Sequence, residues 1–566
     1  MTRHDRSSGP SALRRFGRSE DGSILIFGIF MLILMLMIGG LAVDVMRFEF
    51  QRARLQGTLD RAVLAAASLT QSRSPAEVVR DYVAKAGLED YLDEPVVNAN
   101  TLNVRSVTAT AAYSMPTVFM KLLDIDRLEA PAVSTAEERV SNVEISLVLD
   151  MSNSMVTDGT NPRDRLDNLK VAARDFIDIV MAGANSGLDG APVISISIVP
   201  YTGQVNAGAD LLATYPNVSH RQPYSSCVEF AASDFTTTAL ANGATLIGSG
   251  NSELFSSSSS TQTPTYYWCP EETAAGNPTV TPFSHDPEAL KAAIDRLSGE
   301  GSTAIDTGMK WGVTLLDPST QPSVAALIED GKVNGAFAGR PLAYQSGNVM
   351  KVVVLMTDGQ HVNQEPRLSN AVKTGDSDIW ATGSATDTNR SWSVRLSNGT
   401  YYWKRDGTGG HSGPDTTIVT RSCTVEQVCT RTRNGSCTRW QDQQVCTDTP
   451  STVTAHRLSY PDLWHQARVG WVSGLYSSAG VSGRYSSWVS TLDPTVKNER
   501  TRQICDAARA QGITVYSVAF EAEAGGQALL QYCASTTGHY YATVGPQIRT
   551  VFHSIASHIT QLRLTQ

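Results

Sequence analysis

Two carboxylates and three hydroxyls stand at short, defined places in this chain. Asp150, Ser152 and Ser154 lie in Asp-Met-Ser-Asn-Ser, Thr303 in Gly-Ser-Thr, and Asp358 in Thr-Asp-Gly. All five offer hard oxygen donors. Mg²⁺ takes such oxygens octahedrally at about 2.0–2.1 Å and keeps part of its water. With so few fully charged ligands the ion would stay electrophilic and accept one more carboxylate from a partner protein. The chemistry is recognition, with a cation bridging two surfaces. A lone Asp-x-Ser-x-Ser is a weak signal, because turns use the same residues. The three pieces together, in order, carry the reading.

Such a set works only if distant segments converge. Residues 143–150 (VEISLVLD) form a short apolar run that ends at Asp150, and residues 349–359 (VMKVVVLMTDG) form a buried strand that ends near Asp358. Thr303 precedes a helical pattern from about Ile305. Further strands are expected at APVISISIVPY and ITVYSVAF. Helices are expected at DRLDNLKVAARDFIDIVMAG, DPEALKAAIDRL, NERTRQICDAARAQG and IRTVFHSIASHITQL. Strands alternating with helices imply a mostly parallel α/β sheet, doubly wound and covered on both faces. In such a sheet ligands bind at the carboxyl ends of the strands, where all three pieces fall. Two stretches break the rhythm, about 203–284 and about 361–459. They are expected to be loop insertions with partial β structure.

Ahead of this lies a membrane anchor. Residues 23–43 carry no charge, and at about 1.5 Å per residue they match a hydrocarbon core of about 30 Å. A cleaved signal peptide has a shorter apolar core, about 7–15 residues. Arg3, Arg6, Arg14, Arg15 and Arg18 precede the run, so the positive-inside rule keeps that end cytoplasmic and exports the rest. The next segment has helical periodicity, with Val45, Phe48, Leu55, Leu59, Val63 and Leu64 on one apolar side. It is expected to prolong the span as a stem. Residues 73–140 read as a small α+β module, with TVFMKLLDI as a short helix between strands.

The 566 residues carry a net charge of −9, and no basic stripe is present, which argues against nucleic-acid binding. The eight cysteines, Cys227, Cys269, Cys423, Cys429, Cys437, Cys446, Cys505 and Cys533, all follow the anchor. That suits disulfides in an oxidising compartment. Cys227 and Cys269 bracket the first insertion, and a strand–helix return can bring Cys505 to Cys533. Pairing among the other four stays open. A hydrolase would need a nucleophile elbow or oxyanion loop beside Ser152 or Ser154, and the sequence has no such motif. His361 is read as a loop residue, solvated or behind the site. No phosphate-binding loop of the Walker type is present. No catalytic residue is assigned.

Residues 143–560 resemble a von Willebrand factor A (vWA) domain. Asp150, Ser152, Ser154, Thr303 and Asp358 match its metal-ion-dependent adhesion site position by position. The two insertions depart from the pattern, and could either cover the site or extend its ligand-reading surface. The N-terminal region is similar to TadG-like proteins of the Tad (tight adherence) Flp pilus assembly system. The shared parts are Gly22 before the span, Asp44 after it, Gln56, Asp60 and the Ala-rich end, with ICDAARAQGITVYSVAF, LLQYCAS and the final LRLT later. Gly22 precedes the span as in a prepilin, but Phe27 replaces the usual Glu, so no prepilin cleavage is expected.

The resemblance implies a bacterial inner-membrane protein, its bulk periplasmic, that engages an acidic residue of Tad/Flp pilus or envelope proteins through Mg²⁺. A surface adhesin binding host or matrix ligands and a metal-dependent hydrolase are the alternatives. The expected organisation is a cytoplasmic tail (1–21), a transmembrane helix (22–43), a stem (44–72; TadE/G-like region 22–72), the α+β module (73–140) and the vWA domain (141–566).

Overall fold

The computed structural model describes residues 21–67, 73–101, 104–139, 142–157, 164–182, 194–253, 257–272, 278–344, 349–361, 365–387 and 389–565. The basic tail through residue 20 lies outside them. The chain divides into two compact units, Met1–Val140 and Ser141–Gln566.

In the first unit, helix α1 (Asp21–Ala67) is one continuous element of 47 residues, about 70 Å at ~1.5 Å per residue. It is long and apolar enough to cross a membrane. Its later part buries Leu55, Leu59, Ala62, Val63 and Ala66, a single stripe at helical spacing. Val45 and Leu64, expected on that side, fall off the stripe and are exposed. The stripe packs with helix α2 (Pro75–Lys85) and with the antiparallel sheet β1 (Val96–Thr101), β2 (Val104–Pro116) and β3 (Arg127–Arg139). Stem and module therefore share one core. The segment expected as a helix between strands forms only a 3₁₀ turn, Met120–Leu123. The Asp44 carboxylate takes the N–H groups of Val118, Phe119 and Met120, and Asp124 ends the turn in the left-handed region with φ 67°.

The second unit is built on a six-stranded sheet. Its strands are β4 (Asn142–Asp150), β5 (Ile194–Tyr201), β6 (Thr281–Ser284), β7 (Val349–Thr357), β8 (Thr514–Phe520) and β9 (Tyr540–Thr543), in spatial order β9-β8-β7-β4-β5-β6. All neighbours run parallel except β5 and β6. Every residue of β4 and β5 is buried, as near-continuous apolar strands require. On one face lie Phe176, Ile177, Phe552 and Ile555, from helices Asp164–Ala182 and Ile548–Thr565. The other face is covered by Met309, Trp311, Ile504 and Leu530, from helices Ile305–Thr314, Pro494–Ala510 and Ala524–Cys533.

The first insertion packs Tyr215, Phe230 and Phe235 into the core beside Trp311, and Cys227–Cys269 closes it. It ends before Thr281, where the edge strand β6 begins. The second insertion is longer than the sequence suggests. Residues 365–368 pair antiparallel with residues 489–492, so it closes at Leu492 rather than near 459. It has its own core of Ile379, Trp392, Trp464, Val472 and Trp488. From it extends a ribbon of two antiparallel strands, Thr417–Arg433 and Ser436–Thr452. Asn434 and Gly435 turn it with φ of 51° and 84°, the left-handed pair of a two-residue hairpin loop. Cys423–Cys446 and Cys429–Cys437 bridge the ribbon, and Cys505–Cys533 closes the last pair.

Candidate metal centre

Asp150 and Thr357 end two adjacent parallel strands. From β4 the chain goes on to β5 on one side, and from β7 it continues to β8 on the other. The loops diverge there and leave a crevice at the carboxyl ends. Asp150 is fully buried. Its Oδ1 accepts the Ser152 N–H at 2.7 Å, and its Oδ2 accepts the Thr357 hydroxyl. Ser152 Oγ lies 3.0 Å from Ser154 Oγ, and Ser154 Oγ donates to Asp358 Oδ1 at 2.8 Å.

Thr303 reaches the same place from a third loop. Its Oγ1 lies 3.7 Å from where a β-carbon on Gly359 would sit, and its carbonyl accepts the buried Lys497 ammonium at 3.0 Å. Two backbone bonds join this loop to the first, Asn153 N–H to Gly301 O at 3.1 Å and Glu300 N–H to Met151 O at 2.9 Å. The structure thus brings Asp150, Ser152, Ser154, Thr303 and Asp358 to one sheet edge. The helix after Thr303 sits tight on the sheet. A β-carbon on Gly308 would lie 2.7 Å from the Tyr201 ring.

The arrangement fits a hard divalent cation. Oxygens at adjacent corners of an octahedron with ~2.1 Å metal–oxygen bonds lie about 3 Å apart, and the serine–serine and serine–aspartate spacings of 3.0 and 2.8 Å match that edge. The charge balance fits as well. Burial first, and then the neighbouring Asp358 carboxylate, push the Asp150 carboxyl up to about 7. Two carboxylates held this close in a dry site call for positive charge. Arg165 supplies part of it. Its Nη1 donates to Asp358 Oδ2 and its Nε to Glu521 Oε2, both at 2.8 Å. Neither Arg165 nor Glu521 was singled out from the sequence, and no local motif marks them.

His361 follows the second of its two sequence readings and lies behind the site. It is buried rather than solvated. Its Nε2 accepts the Ile305 N–H at 2.9 Å, and its Nδ1 donates to Asn498 Oδ1 at 3.0 Å. Burial, and then Lys497, hold its pKa well below the usual histidine range, so the ring is neutral. Both ring nitrogens are engaged, and neither serves Ser152 or Ser154 as a base. The residue fixes the start of the helix that follows Thr303.

Residues 22–69 match the family model "Tad: Putative Flp pilus-assembly TadE/G-like", where the N-terminal resemblance was read. No curated protein matches the chain. Among solved structures, the vWF domain of the type V pili tip protein Mfa5 from Porphyromonas gingivalis is similar at 11% identity, with a TM-score of 0.30, covering 75% of this chain and 97% of that one. The pilus adhesin SpaC from Lactobacillus rhamnosus GG is similar at 10% identity and a TM-score of 0.27, over 82% of this chain but only 34% of its own. The pilus adhesin RrgA from Streptococcus pneumoniae gives 11% and 0.27, over 83% of this chain and 49% of its own. Likenesses this slight do not bear on function.

Proposed function

From the Tad match at the N-terminus and the oxygen cluster in the second unit, we propose a membrane-anchored interaction protein of Tad/Flp pilus assembly or secretion, without enzymatic activity. In this reading the second unit is a doubly wound, Rossmann-like vWA domain held in the periplasm, with the N-terminus cytoplasmic. Asp150, Ser152, Ser154, Thr303 and Asp358 hold Mg²⁺. The bound ion supplies an open position for an acidic side chain of a pilus or envelope protein.

One observation carries the proposal. Side-chain oxygens from segments about 200 positions apart meet at the spacing of octahedral edges. Around them the chain's own groups do the positioning. Thr357 and the Ser152 N–H aim the Asp150 carboxylate, and Arg165 holds one oxygen of Asp358 away from the serines. His361 and Lys497 secure the Thr303 loop from behind.

The test is Asp150→Ala in the full chain. Calorimetric titration should show Mg²⁺ binding to the parent and none to the variant, and pili should be lost in cells carrying the variant. Unchanged Mg²⁺ binding together with normal piliation would remove the metal from the mechanism.

A further inference from the structure

The loop joining β2 to β3 packs against the end of the membrane span. The Asp44 carboxylate accepts the backbone N–H groups of Val118 at 3.2 Å, Phe119 at 2.7 Å and Met120 at 2.8 Å. One helical turn earlier, a β-carbon on Gly40 would fall 2.4 Å from the Phe119 ring. The loop therefore lies flush on the helix from Gly40 to Asp44. Gly40 belongs to the uncharged run that ends at Val43. Whatever surrounds the helix at Gly40 also surrounds the loop.

Beside Phe119, whose ring packs on Gly40, the loop presents Val118, Leu122, Leu123 and Ile125 away from the helix, with Leu122 73% and Val118 57% exposed. A contiguous apolar group of this kind marks a contact surface. Its polar atoms suit the border of a bilayer. The Asp44 charge is met by three N–H groups and lies 3.7 Å from Arg47. Lys121 lies 3.8 Å from Asp126, and its long stem can carry the ammonium outward to the headgroups.

The helix also gives a ruler for depth. Gln56 donates to the Val133 carbonyl at 3.0 Å, and Ser134 donates to Asp60 at 2.6 Å. Gln56 lies roughly 20 Å past Val43 along the helix at ~1.5 Å per residue. Strand β3 thus climbs away from the span, and the loop is the part of the sheet that reaches it.

We infer that Val118, Phe119, Leu122, Leu123 and Ile125 are embedded in lipid, a second membrane contact beside the spanning helix. The inference rests on reading residues 23–43 as a membrane span. It commits to the bilayer as the covering surface, because the contact at Gly40 fixes the depth of the loop.

The test places the photo-crosslinker p-benzoylphenylalanine singly at Leu34, Leu122 or Thr135 of the full chain. The protein is held in nanodiscs of phosphatidylethanolamine and phosphatidylglycerol. Lipid adducts are expected from 34 and 122 and none from 135. Adducts from 34 alone would overturn the loop contact and leave the anchor standing. Adducts from none of the three would overturn both. Capture of a second protein chain at 122, in place of lipid, would also overturn it. Because photoreaction at 122 could be blocked by a local rearrangement, a nitroxide side chain at Leu123 gives a second readout. Broadening by lipids spin-labelled on the acyl chain is expected there, and its absence counts against the inference.

Discussion

Ser154 donates its hydroxyl proton to Asp358 across 204 positions of sequence, at 2.8 Å. That bond joins the loop after one strand to the loop after its neighbour. It also occupies an edge that two ligands of one cation would share. This proton meets one oxygen of Asp358 and the Arg165 guanidinium the other.

Removing divalent ions should therefore lower stability in a way that depends on Asp150. A ligand at 100 times its Kd stabilises the folded state by about 2.7 kcal/mol. Thermal melts of the full chain are expected to rise by that equivalent when Mg²⁺ replaces EDTA. Asp150→Asn, which keeps the side-chain shape, should show no such rise.

Arg165→Gln should tighten Mg²⁺ binding while weakening the metal-free fold. The arginine is a fixed cation beside the same carboxylate. At an effective dielectric of about 20, a divalent ion roughly 6 Å away is repelled by several kcal/mol, so removing the arginine should tighten binding at least about tenfold. Calorimetry reads the first effect and urea unfolding in EDTA the second. Weaker Mg²⁺ binding in the variant would show that the arginine's hold on Asp358 outweighs the repulsion of its charge.

Gly308→Ala should destabilise the second unit by about 1–3 kcal/mol, the usual cost of overpacking. The added methyl would meet the ring of Tyr201. That ring is fully buried, and its hydroxyl donates to the Met356 carbonyl at 3.0 Å. Because the same helix follows Thr303, the variant should also bind Mg²⁺ more weakly. A melt unchanged from the parent would refute the tight seat.

Replacing Cys505 and Cys533 together by Ser should cost about 3–4 kcal/mol on the loop-entropy estimate. The two cysteines are 28 positions apart, and both are buried. Urea midpoints of the oxidised parent and the double variant give the difference.

If the second unit is periplasmic, protease added to intact cells should leave it whole, and the same protease should cut it in spheroplasts. Cleavage on intact cells would favour the surface-adhesin alternative.

The meeting of the side-chain oxygens at the sheet edge was legible because each piece is short and local: Asp150 closes an apolar run and Asp358 follows another. Arg165 was not, since its bond to Glu521 spans 356 positions and an arginine opening a helix is unremarkable. The end of the second insertion was missed for a different reason. The helices at 460–466 and 469–478 carry the apolar spacing of helices that cover a parallel sheet, yet they pack on the insertion's own core. The nested pairing of the four ribbon cysteines did have a signal in Asn434-Gly435, a dipeptide that favours a two-residue hairpin. It would have set Cys423 opposite Cys446. The 3₁₀ turn at Met120–Leu123 depends on Asp44, which periodicity within the segment cannot show.

The ribbon has a mechanical consequence. Each arm has 17 residues, roughly 55 Å at ~3.3 Å per residue, and neither arm pairs with a third strand among the described residues. Tension applied where the arms join the insertion would peel them apart rung by rung, as a zipper opens. Peeling would halt at Cys423–Cys446, the first covalent rung from that end. Only residues 417–422 and 447–452 could yield. The outer length would carry load as a single stiff spar for as long as its surroundings stay oxidising.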